Sequence, residues 1–389
     1  MTIKGKSHLN YNSYQSIKGL YYQYFTNIKP FEDSGFDNNE SDKFSFSLQN
    51  YLYFYIEMHK LSGSSEWITL IEETCNHILD NTDERRVEKL EIVLTPVQDP
   101  PLDTNYFQAP FPYQRDGIPI PGWSSFDGSP RPRLRAQVLQ DGQIIGAMCT
   151  AAHYIISNGV TSTAGFTDSV LSHSRRVIDS HDHSYKYAST VASTFIAGTY
   201  KYPERFLGED SVYGSPVPYN HCGAMTKATL ICHHYENNQD YLDKAQKFMD
   251  FTRDTRVEDG DKYFWNYAFT TTTIPEDFNH GSYSLDMMLM AYELGYLGMT
   301  KDELTKYANT VASCNKWPRV SEAFEKIDLS GDLPTGETFD IGNMAYLSEF
   351  NANVLTIGRD LSSTNYIAKY PSHFRSVATL LNNLEDWEL

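Results

Sequence analysis

The sequence predicts an all-α protein, an (α/α) toroid in which about six or seven helix hairpins close into a ring with small β-hairpin insertions. Three observations predict this fold class. Apolar residues recur at three- and four-residue spacing through most of the chain, as in helices with one buried face. The helical segments occur in pairs joined by short turns, which is typical of αα-hairpins. The pairs are irregularly spaced and separated by long insertions, which favours a closed ring over a solenoid of fixed period.

The first helix pair lies early in the chain. An unpaired helix is expected before it, at 13–25. Helical spacing then runs through 46–61, the turn at 62–65 interrupts it, and 66–79 runs back with its apolar residues on one side. A long loop insertion at about 96–132 follows, rich in proline, glycine and aromatic residues. A loop of this length inside a compact domain is usually functional.

The helix-hairpin unit recurs four more times after the loop insertion. Its further members pair 134–157 with 166–178, 224–235 with 241–251, 282–294 with 301–314, and 341–355 with 372–384. The stretch 262–270 alternates in polarity and is rich in aromatic residues, which predicts a small β-hairpin. We therefore expect a single catalytic toroid domain across residues 1–389, with the loop insertion at about 96–132.

The charge of the chain restricts its partners. The formal net charge is −18 at pH 7, which argues against nucleic acid and membranes because both need a basic footprint. An anionic oligo- or polysaccharide is still compatible, since a local arginine cluster in a cleft can override the global field. The 28 tyrosines and 21 phenylalanines suit either stacking on sugar rings or the filling of a large helical core.

The first residues of the chain contain no apolar signal segment. We therefore expect a cytoplasmic protein, or a periplasmic or secreted one if a signal peptide has been removed. No run of about 18 apolar residues occurs, so no membrane span is expected.

The sequence lacks the usual motifs for metals and cofactors. Its five cysteines stand apart, with no C-x-x-C pair, so neither a zinc site nor a disulfide framework is expected. His181, Asp182 and His183 are adjacent, but without further ligands this pattern favours an exposed loop. No dinucleotide-binding glycine motif, Walker loop or serine-hydrolase elbow occurs. We expect chemistry without a metal or an organic cofactor.

A repeated Asn-His pair marks two helix starts. Asn220 and His221 precede one inner helix, and Asn279 and His280 precede the next. The inner helices of a ring begin at the same end, so both histidines would converge on one mouth, where an imidazole can transfer a proton near neutral pH. The alternative is that each asparagine caps its helix and each histidine is incidental.

Other candidate site residues also lie near the starts of inner helices. They are Trp123, Arg131, Arg133 and Arg135 ahead of one helix, and Trp265, Tyr267, Glu276, Asp277 and Tyr283 around another. The planar fork of arginine suits a carboxylate and a tryptophan face suits a pyranose ring, the alternative being a solvated basic turn. Either tyrosine phenol could reach the mouth. The two adjacent carboxylates are either a catalytic pair or partners of a helix dipole.

With these residues in view, the chain resembles the (α/α)-toroid polysaccharide lyases of the alginate and glucuronan lyase type. The resemblance implies β-elimination on a uronic-acid-containing polymer. The roles that it implies are Asn220 and His221 as carboxylate neutraliser and base, Tyr283 or Tyr267 as acid, and Arg133 or Arg135 in subsite binding. Such chemistry needs preorganised donors, each worth about 3 kcal/mol when aimed at the developing charge.

Three other functions remain as alternatives. A glycoside hydrolase on the same toroid would use Glu276 or Asp277 with Asp127 or Asp340 as its two carboxyl groups. A uronate C5-epimerase would share the proton abstraction of the lyase. A non-enzymatic helical-repeat protein would form an open superhelix with a smooth concave face, and the long loops count against it.

Overall fold

The computed structural model describes the ring and parts of its rim. The described residues are 8–24, 29–32, 36–89, 91, 121–126, 134–135, 137–182, 185, 198–200, 217–267, 276, 278–313, 341–354, 375, 378–379 and 382. They form an all-α arrangement of paired helices with two small antiparallel β-hairpins, so the prediction of an (α/α) toroid is confirmed.

Ten α-helices and four short strands lie in the described residues. The helices are α1 (His8–Tyr24), α2 (Gln49–Ser62), α3 (Ser65–Asp80), α4 (Asp83–Glu88), α5 (Val138–Ser157), α6 (Phe166–Ser180), α7 (Tyr219–Glu236), α8 (Gln239–Thr255), α9 (Phe278–Leu294) and α10 (Lys301–Ser313). The strands are β1 (Ser125–Phe126), β2 (Leu134–Arg135), β3 (Val257–Asp259) and β4 (Lys262–Phe264), and β1 pairs with β2 and β3 with β4. A π-helical turn, Phe44–Leu48, leads into α2, and a 3₁₀ helix, Ile341–Glu349, follows α10.

The inner wall of the ring consists of α2, α5, α7, α9 and the 3₁₀ helix, each packed against the next. Residues 138–149 of α5 and 219–233 of α7 are buried without interruption. A helix buried all round belongs to a large core or to a membrane. None of the helices in the described part of the chain has the length and hydropathy needed to cross a bilayer. The partners α3, α6, α8 and α10 cover the inner helices from outside.

The connections between helices differ at the two ends of the ring. Only Gly63 and Ser64 separate α2 from α3, and Gly63 has a φ of 68°, the left-handed conformation that often ends helices. The returns from an outer to the next inner helix are long, as between α6 and α7 or between α8 and α9. We name the end of the ring where the inner helices begin the amino-terminal mouth. The long connections therefore open onto this mouth.

Residues near the carboxyl end of the chain complete the ring. Arg375 Nη2 lies 3.1 Å from both carboxylate oxygens of Asp286 on α9. Asn382 Nδ2 donates to the carbonyl oxygen of Glu57 on α2 at 3.0 Å and to its Oε2 at 2.6 Å. These contacts join the last described residues to both α9 and α2.

Two glycines allow the inner helices to touch. A Cβ atom on Gly142 of α5 would lie 2.6 Å from the backbone nitrogen of Met225 on α7. One on Gly223 of α7 would lie 2.8 Å from Cα of Ser284 on α9. Each residue is near the start of its helix, so α5, α7 and α9 run parallel and begin at the same mouth.

The predicted β-hairpin occurs, but earlier in the chain than expected. Val257–Asp259 pairs with Lys262–Phe264, whereas the alternating pattern placed the hairpin within 262–270. Gly260 in the turn has a φ of 60°, which glycine adopts without strain. The turn therefore sets the position of the pairing, and the alternating pattern covers only one of its two strands.

Other element boundaries differ from the sequence prediction. The first helix begins at His8 rather than 13, and the helix expected at 341–355 is a 3₁₀ helix that ends at Glu349. Within the predicted insertion at 96–132, the structure describes 121–126, which includes β1. The rest of that insertion lies outside the described residues.

Candidate active site

The amino-terminal mouth is the place where the long connections meet the rigid ring. Binding and catalytic residues are disproportionately found on loops that a rigid scaffold positions. The predicted site residues fall in, or next to, the connections that precede α5, α7 and α9. This mouth is therefore the candidate active site.

Asp42 is half-buried just before the π-helical turn that leads into α2. Its φ is 58°, a left-handed conformation that is uncommon outside glycine and that functional sites often retain. Burial raises the pKa of Asp42 above its usual value, and hydrogen bonding to neighbours such as Gln140 opposes this. Gln140 Nε2, in the first turn of α5, lies 3.5 Å from Asp42 Oδ1. A partly accessible carboxyl with a raised pKa is suited to donating a proton.

Phe46 exposes 43% of its surface at the same rim. It lies inside the π-helical turn, and its N–H donates to the carbonyl oxygen of Asp42 at 2.8 Å. Asn50 Nδ2 donates to the carbonyl oxygen of Phe46 at 3.0 Å. π-helical turns are rare and are frequent at functional sites. The exposed ring offers an apolar platform, next to Asp42, on which a sugar could stack.

A buried strap, residues 121–125, is tied to the chain around Asp42. Asn39 makes the connection: its Nδ2 lies 3.5 Å from the carbonyl oxygen of Trp123. Its Oδ1 accepts from the N–H groups of Phe44 at 3.0 Å and Ser45 at 3.2 Å. The strap therefore helps to fix the segment that carries Asp42.

Trp123 lies within this strap and not at an open rim. Its side chain is 1% exposed, and its Nε1 donates to the carbonyl oxygen of Ile78 at 2.8 Å. Its ring also packs 5.5 Å from the ring of His173. A buried indole needs a partner for its N–H, and here that partner draws the ring into the wall. The predicted sugar-stacking face of Trp123 is thus covered.

Asp83, at the start of α4, anchors the strap. Both of its carboxylate oxygens lie 3.2 Å from the backbone nitrogen of Ser124, and the Ser124 hydroxyl also donates to Oδ2. The backbone N–H of Asp83 donates to the carbonyl oxygen of Gly122 at 3.0 Å. Burial raises the pKa of Asp83 to about 7, although the hydrogen bonds from Ser124 act in the opposite direction.

We expect the Asp83→Asn variant to gain stability relative to the unaltered protein as pH rises from about 4 to about 8. A folded-state pKa above the unfolded value of about 3.9 means that ionisation opposes folding. The contribution of the neutral carboxyl is fully present below about pH 4 and is lost as pH rises through about 7. Asparagine still accepts from Ser124 but cannot ionise. Thermal unfolding of both proteins across this range tests the prediction, and a difference in Tm that does not vary with pH would contradict it.

His181 supplies a second anchor for the strap. Its Nε2 lies 2.8 Å from Asp141 Oδ2, while Asp141 Oδ1 accepts the N–H of Trp123 at 2.9 Å. His181 is 5% exposed, so the prediction of an exposed loop is wrong at this residue, where the Asp141 carboxylate holds the ring in the wall. The side chain of Asp182 is 40% exposed, and His183 lies outside the described residues. A Cβ atom on Gly122 would lie 2.3 Å from that carboxylate, so the close approach requires glycine. Among the described residues, no group of three or more His, Cys, Asp or Glu is arranged to hold a metal ion.

Asn220 and His221 lie inside the first turn of α7, which begins at Tyr219. Pro218 occupies the N-cap position, so Asn220 does not cap the helix. Asn220 is fully buried and His221 is 7% exposed. Both polar side-chain atoms of Asn220 lack a hydrogen-bond partner within the described residues. So little exposure leaves neither side chain open to a polymer in this conformation.

Tyr267 and His280 are brought together at the mouth. Their ring centroids are 5.0 Å apart at an interplanar angle of 58°, and both side chains are half-buried. The carbonyl oxygen of Tyr267 accepts the N–H of Tyr219 at 3.1 Å, which holds the pair against the start of α7. These two predicted site residues therefore share one surface.

Trp265 and Glu276 lie deeper in the wall. The N–H of Glu276 donates to the carbonyl oxygen of Trp265 at 3.1 Å, and the Glu276 side chain is fully buried. Trp265 is 3% exposed and packs 5.3 Å from the ring of Tyr307 on α10. The Trp265 face predicted to bind sugar is therefore covered, whereas Glu276 stands directly before α9.

Tyr283 and Gln49 form the floor of the mouth. Gln49, at the start of α2, donates from Nε2 to Tyr283 Oη on α9 at 3.1 Å. Leu139 on α5 and Ala224 on α7 complete a small apolar cluster with Tyr283, separate from the main core. Tyr283 is 7% exposed, so it closes the ring below the mouth more than it faces solvent.

Several predicted residues are not part of the description. The residues that lie outside the described part of the chain are Arg131, Arg133, Asp277, Asp127 and Asp340. The side chain of Arg135 also lies outside it. The backbone of Arg135 pairs with Ser125 at the edge of the strap. Their proposed roles therefore stay predictions.

Sequence reasoning missed Asp42 and Phe46. Both fall in a segment that the helical pattern covers only from 46 onward, and aspartate is common in turns. The left-handed backbone of Asp42 and the π-helical turn around Phe46 depend on contacts with Asn39 and the strap, which are distant in sequence. No sequence signal could have singled them out.

Comparison with known proteins gives a match in structure alone. No protein-family model matches the sequence, and no curated protein matches it. Two solved structures of the GH76A α-1,6-mannanase from Salegentibacter sp. HEL1_6 match with a TM-score of 0.51, over 96% of this chain and 98% of that chain. One is the mannanase itself, at 10% identity. The other, at 9% identity, is an inactive variant with two neighbouring aspartates replaced by asparagine, in complex with α-1,6-mannotriose.

This comparison corrects the prediction of a polysaccharide lyase. The matching toroids are glycoside hydrolases and not lyases of the alginate or glucuronan type, so the predicted β-elimination and the lyase class are wrong. The C5-epimerase alternative relied on the proton abstraction that the lyase reaction would use, so it loses its support together with the lyase prediction. The requirement for an anionic substrate is also unsupported. At 9 and 10% identity the likeness shows the fold: this chain is an (α/α) toroid of the kind that a glycoside hydrolase uses.

Proposed function

We propose that this chain is a glycoside hydrolase, a single catalytic toroid domain that cleaves a polysaccharide at its amino-terminal mouth. Asp42 acts as general acid, and a carboxylate directly before α9, Glu276 or Asp277, is the second catalytic group. Phe46 supplies the platform for a sugar ring beside Asp42. This mechanism replaces the His/Tyr chemistry of a lyase with a pair of carboxyl groups.

The position of two carboxyl groups relative to the floor of the mouth carries this proposal. Gln49 and Tyr283 meet at 3.1 Å, although they belong to helices from separate hairpins. Asp42 lies seven residues before Gln49, and Glu276 lies seven residues before Tyr283. Gln49 and Tyr283 are hydrogen-bonded to each other across the ring. Each of them therefore has a carboxyl group the same number of residues before it in the chain. Glycoside hydrolases use two carboxyl groups that flank the scissile bond.

The environments of the two carboxyls suit different roles. Asp42 is half-buried with a raised pKa, which keeps a proton available for the glycosidic oxygen of the leaving group. Glu276 is fully buried beside the Trp265 backbone. Glu276 is closed to a polymer in this conformation, as Asn220 is, so it either becomes accessible when substrate binds or supports its neighbour Asp277 in activating water or attacking the anomeric carbon.

The substrate we propose is a neutral polysaccharide, with α-1,6-mannan as the first candidate. The mannanase that shares the fold binds α-1,6-mannotriose. A described polar side chain next to Asp42 is the neutral amide of Gln140, whose Nε2 lies 3.5 Å from Asp42 Oδ1. Amides both donate and accept hydrogen bonds, which matches sugar hydroxyl groups.

Release of reducing ends from defined polysaccharides tests the proposed function. The purified protein is incubated with α-1,6-mannan, with other neutral α- and β-glycans, and with polyuronates, and the products are separated by size. We expect shorter saturated oligosaccharides from a neutral glycan and none from the polyuronates. Absence of cleavage on every neutral glycan, or cleavage confined to the polyuronates, would contradict the proposal.

A further inference from the structure

Below the floor of the mouth, the centre of the ring contains a buried group of charges. We define this ring-centre cluster as Tyr53 on α2, Lys227 on α7, Asp286 on α9, and Arg375. Each member keeps only 5 to 8% exposure. Four separate elements therefore bring ionisable side chains into one nearly closed space.

The cluster holds two cations and one carboxylate. Asp286 accepts from Arg375 Nη2 through both of its oxygens at 3.1 Å, whereas Lys227 Nζ lies 3.4 Å from Asp286 Oδ2. The closest partner of Lys227 is the hydroxyl of Tyr53, a neutral group, at 2.9 Å. Arg375 also stacks on Tyr53, with its guanidinium carbon 3.9 Å from the ring centroid. Asp286 is thus engaged mainly by Arg375.

Both basic groups stay charged in this position. Burial lowers the pKa of Lys227, but the attraction of Asp286 and of the Tyr53 phenol outweighs it and raises that pKa above its usual value. The pKa of Asp286 is lowered by Arg375 and Lys227 in spite of its burial. Glu293, two helical turns further along α9, also feels the charge of Lys227, but burial raises the pKa of Glu293 in spite of that attraction. The ring-centre cluster therefore carries an excess positive charge away from bulk water, an unfavourable arrangement unless it is compensated.

Lys244 shows how another buried lysine in this protein is compensated. It is equally buried, and its Nζ lies 2.6 Å from Asp182 Oδ1 and 2.8 Å from Asp240 Oδ2. Two carboxylates therefore serve one ammonium there. Among the described residues, Lys227 has one carboxylate within 4 Å, that of Asp286, which lies at a longer distance and is shared with Arg375.

An amide with unused hydrogen-bonding capacity lies on the neighbouring inner helix, α5. Gln143 on α5 is 2% exposed, and neither its Nε2 nor its Oε1 has a hydrogen-bond partner among the described residues. On one face of α5 it lies between Leu139, which belongs to the same apolar cluster as Tyr283, and Gly146, whose Cβ position is 3.9 Å from Lys227 Cδ. Buried amides are nearly always hydrogen-bonded, so an amide that lacks a protein partner is able to accept a water molecule or a small ion as its partner.

We propose that the ring-centre cluster, together with Gln143, binds one small monovalent anion of about the size of chloride. The Lys227 ammonium supplies its charge partner and the Gln143 amide N–H supplies a directional donor. The anion completes the charge balance under the floor of the mouth and joins α5 to α7. This site is independent of the proposed hydrolase activity, because it lies below the Gln49–Tyr283 contact and involves neither Asp42 nor Glu276.

Exchange of the anion at constant ionic strength tests the site. Sodium gluconate, whose anion is much larger than chloride, is replaced stepwise by sodium chloride, and thermal unfolding is followed. We expect a saturable rise in Tm on the order of 2 °C. Parallel titrations with bromide and with formate distinguish a halide site from one for a small carboxylate. Bromide soaked into a crystal should give an anomalous peak between Lys227 Nζ and Gln143 Nε2.

Three variants separate this proposal from a general salt effect. Lys227→Met should lose the chloride response, whereas Lys244→Met, the matched buried lysine, should keep it. Gln143→Glu places a carboxylate where the anion would bind, so it should raise Tm in gluconate and abolish the response to chloride. If the space holds only water, Gln143→Glu should lower Tm, chloride should have no saturable effect, and no bromide peak should appear. That result would overturn the proposal.

Discussion

The Asp42→Asn substitution is expected to lower kcat for polysaccharide cleavage by about 10²- to 10⁴-fold, because the N–H groups of an amide are not acidic enough to protonate the glycosidic oxygen. The fold should be retained. Asparagine has nearly the same shape and tolerates the left-handed backbone found here, φ 58°, better than most residues. It can also keep the contact with Gln140, whose Nε2 lies 3.5 Å from Oδ1. Steady-state kinetics and thermal unfolding of the variant measure both effects.

The control for this variant is Asp261→Asn. Asp261 lies in the β3–β4 turn with its side chain 74% exposed, so the same change there should leave kcat unaltered. A glycoside with a very acidic leaving group needs no proton from the enzyme, so it should be cleaved by Asp42→Asn at close to the normal rate. In the unaltered protein, activity should fall as pH rises through the raised pKa of Asp42, since only the protonated acid donates. Full activity of Asp42→Asn on the natural polymer would contradict the assignment.

The Gly142→Ala substitution is expected to destabilise the ring by about 3 kcal/mol or more. The new methyl group would lie 2.6 Å from the backbone nitrogen of Met225 and 2.9 Å from the carbonyl carbon of Ala224. Backbone atoms cannot move aside as a flexible side chain does, so α5 and α7 would have to separate. Denaturant unfolding, read as the change in midpoint at constant slope, measures the loss.

Gly19→Ala is the matched control for this prediction. Gly19 lies inside α1, and a Cβ atom there would meet nothing within 4 Å. Alanine is the better helix former, so this change should stabilise the protein by up to about 1 kcal/mol. If both variants unfold at the same denaturant concentration as the unaltered protein, the close contact between α5 and α7 is not the feature that fixes the ring.

The helix pairs could be predicted from sequence because their signal is local. The stretch 224–235 has the period of a helix, and the observed α7 contains all of it. The turn after α2 is equally local, since Gly63 has the left-handed conformation that glycine adopts without strain. Closure into a ring was predicted from irregular spacing and long insertions, and the contacts of Arg375 and Asn382 with α9 and α2 bear it out.

The site was harder to predict because it depends on where each helix begins. The Asn-His pattern placed Asn220 and His221 before a helix, but α7 begins at Tyr219, so both side chains turn into the wall. The prediction began this helix at 224, five residues after its observed start at Tyr219, and element boundaries are the least reliable part of a sequence prediction. On a ring, however, the position of a helix start decides whether a side chain faces the mouth or the core.

Long-range contacts explain the remaining differences. Trp123 looked like a rim residue because it lies among glycines and prolines, but its indole N–H is bound by Ile78 in α3. The excess charge around Lys227 had no visible signal, since Arg375 and Asp286 are far from it in sequence. Burial and charge pairing between distant segments cannot be obtained from the period of the apolar residues.

Cleavage in water enriched in ¹⁸O tests the central claim most directly. The neutral glycan that the protein shortens is digested in this solvent, and the new chain ends are analysed by mass spectrometry. A hydrolase that uses Asp42 and a carboxylate before α9 should add one ¹⁸O atom for each bond that it cuts. Asp42→Asn should cut fewer bonds and should therefore incorporate less ¹⁸O. Unlabelled fragments ending in an unsaturated sugar, or no cleavage of any neutral glycan, would contradict the account.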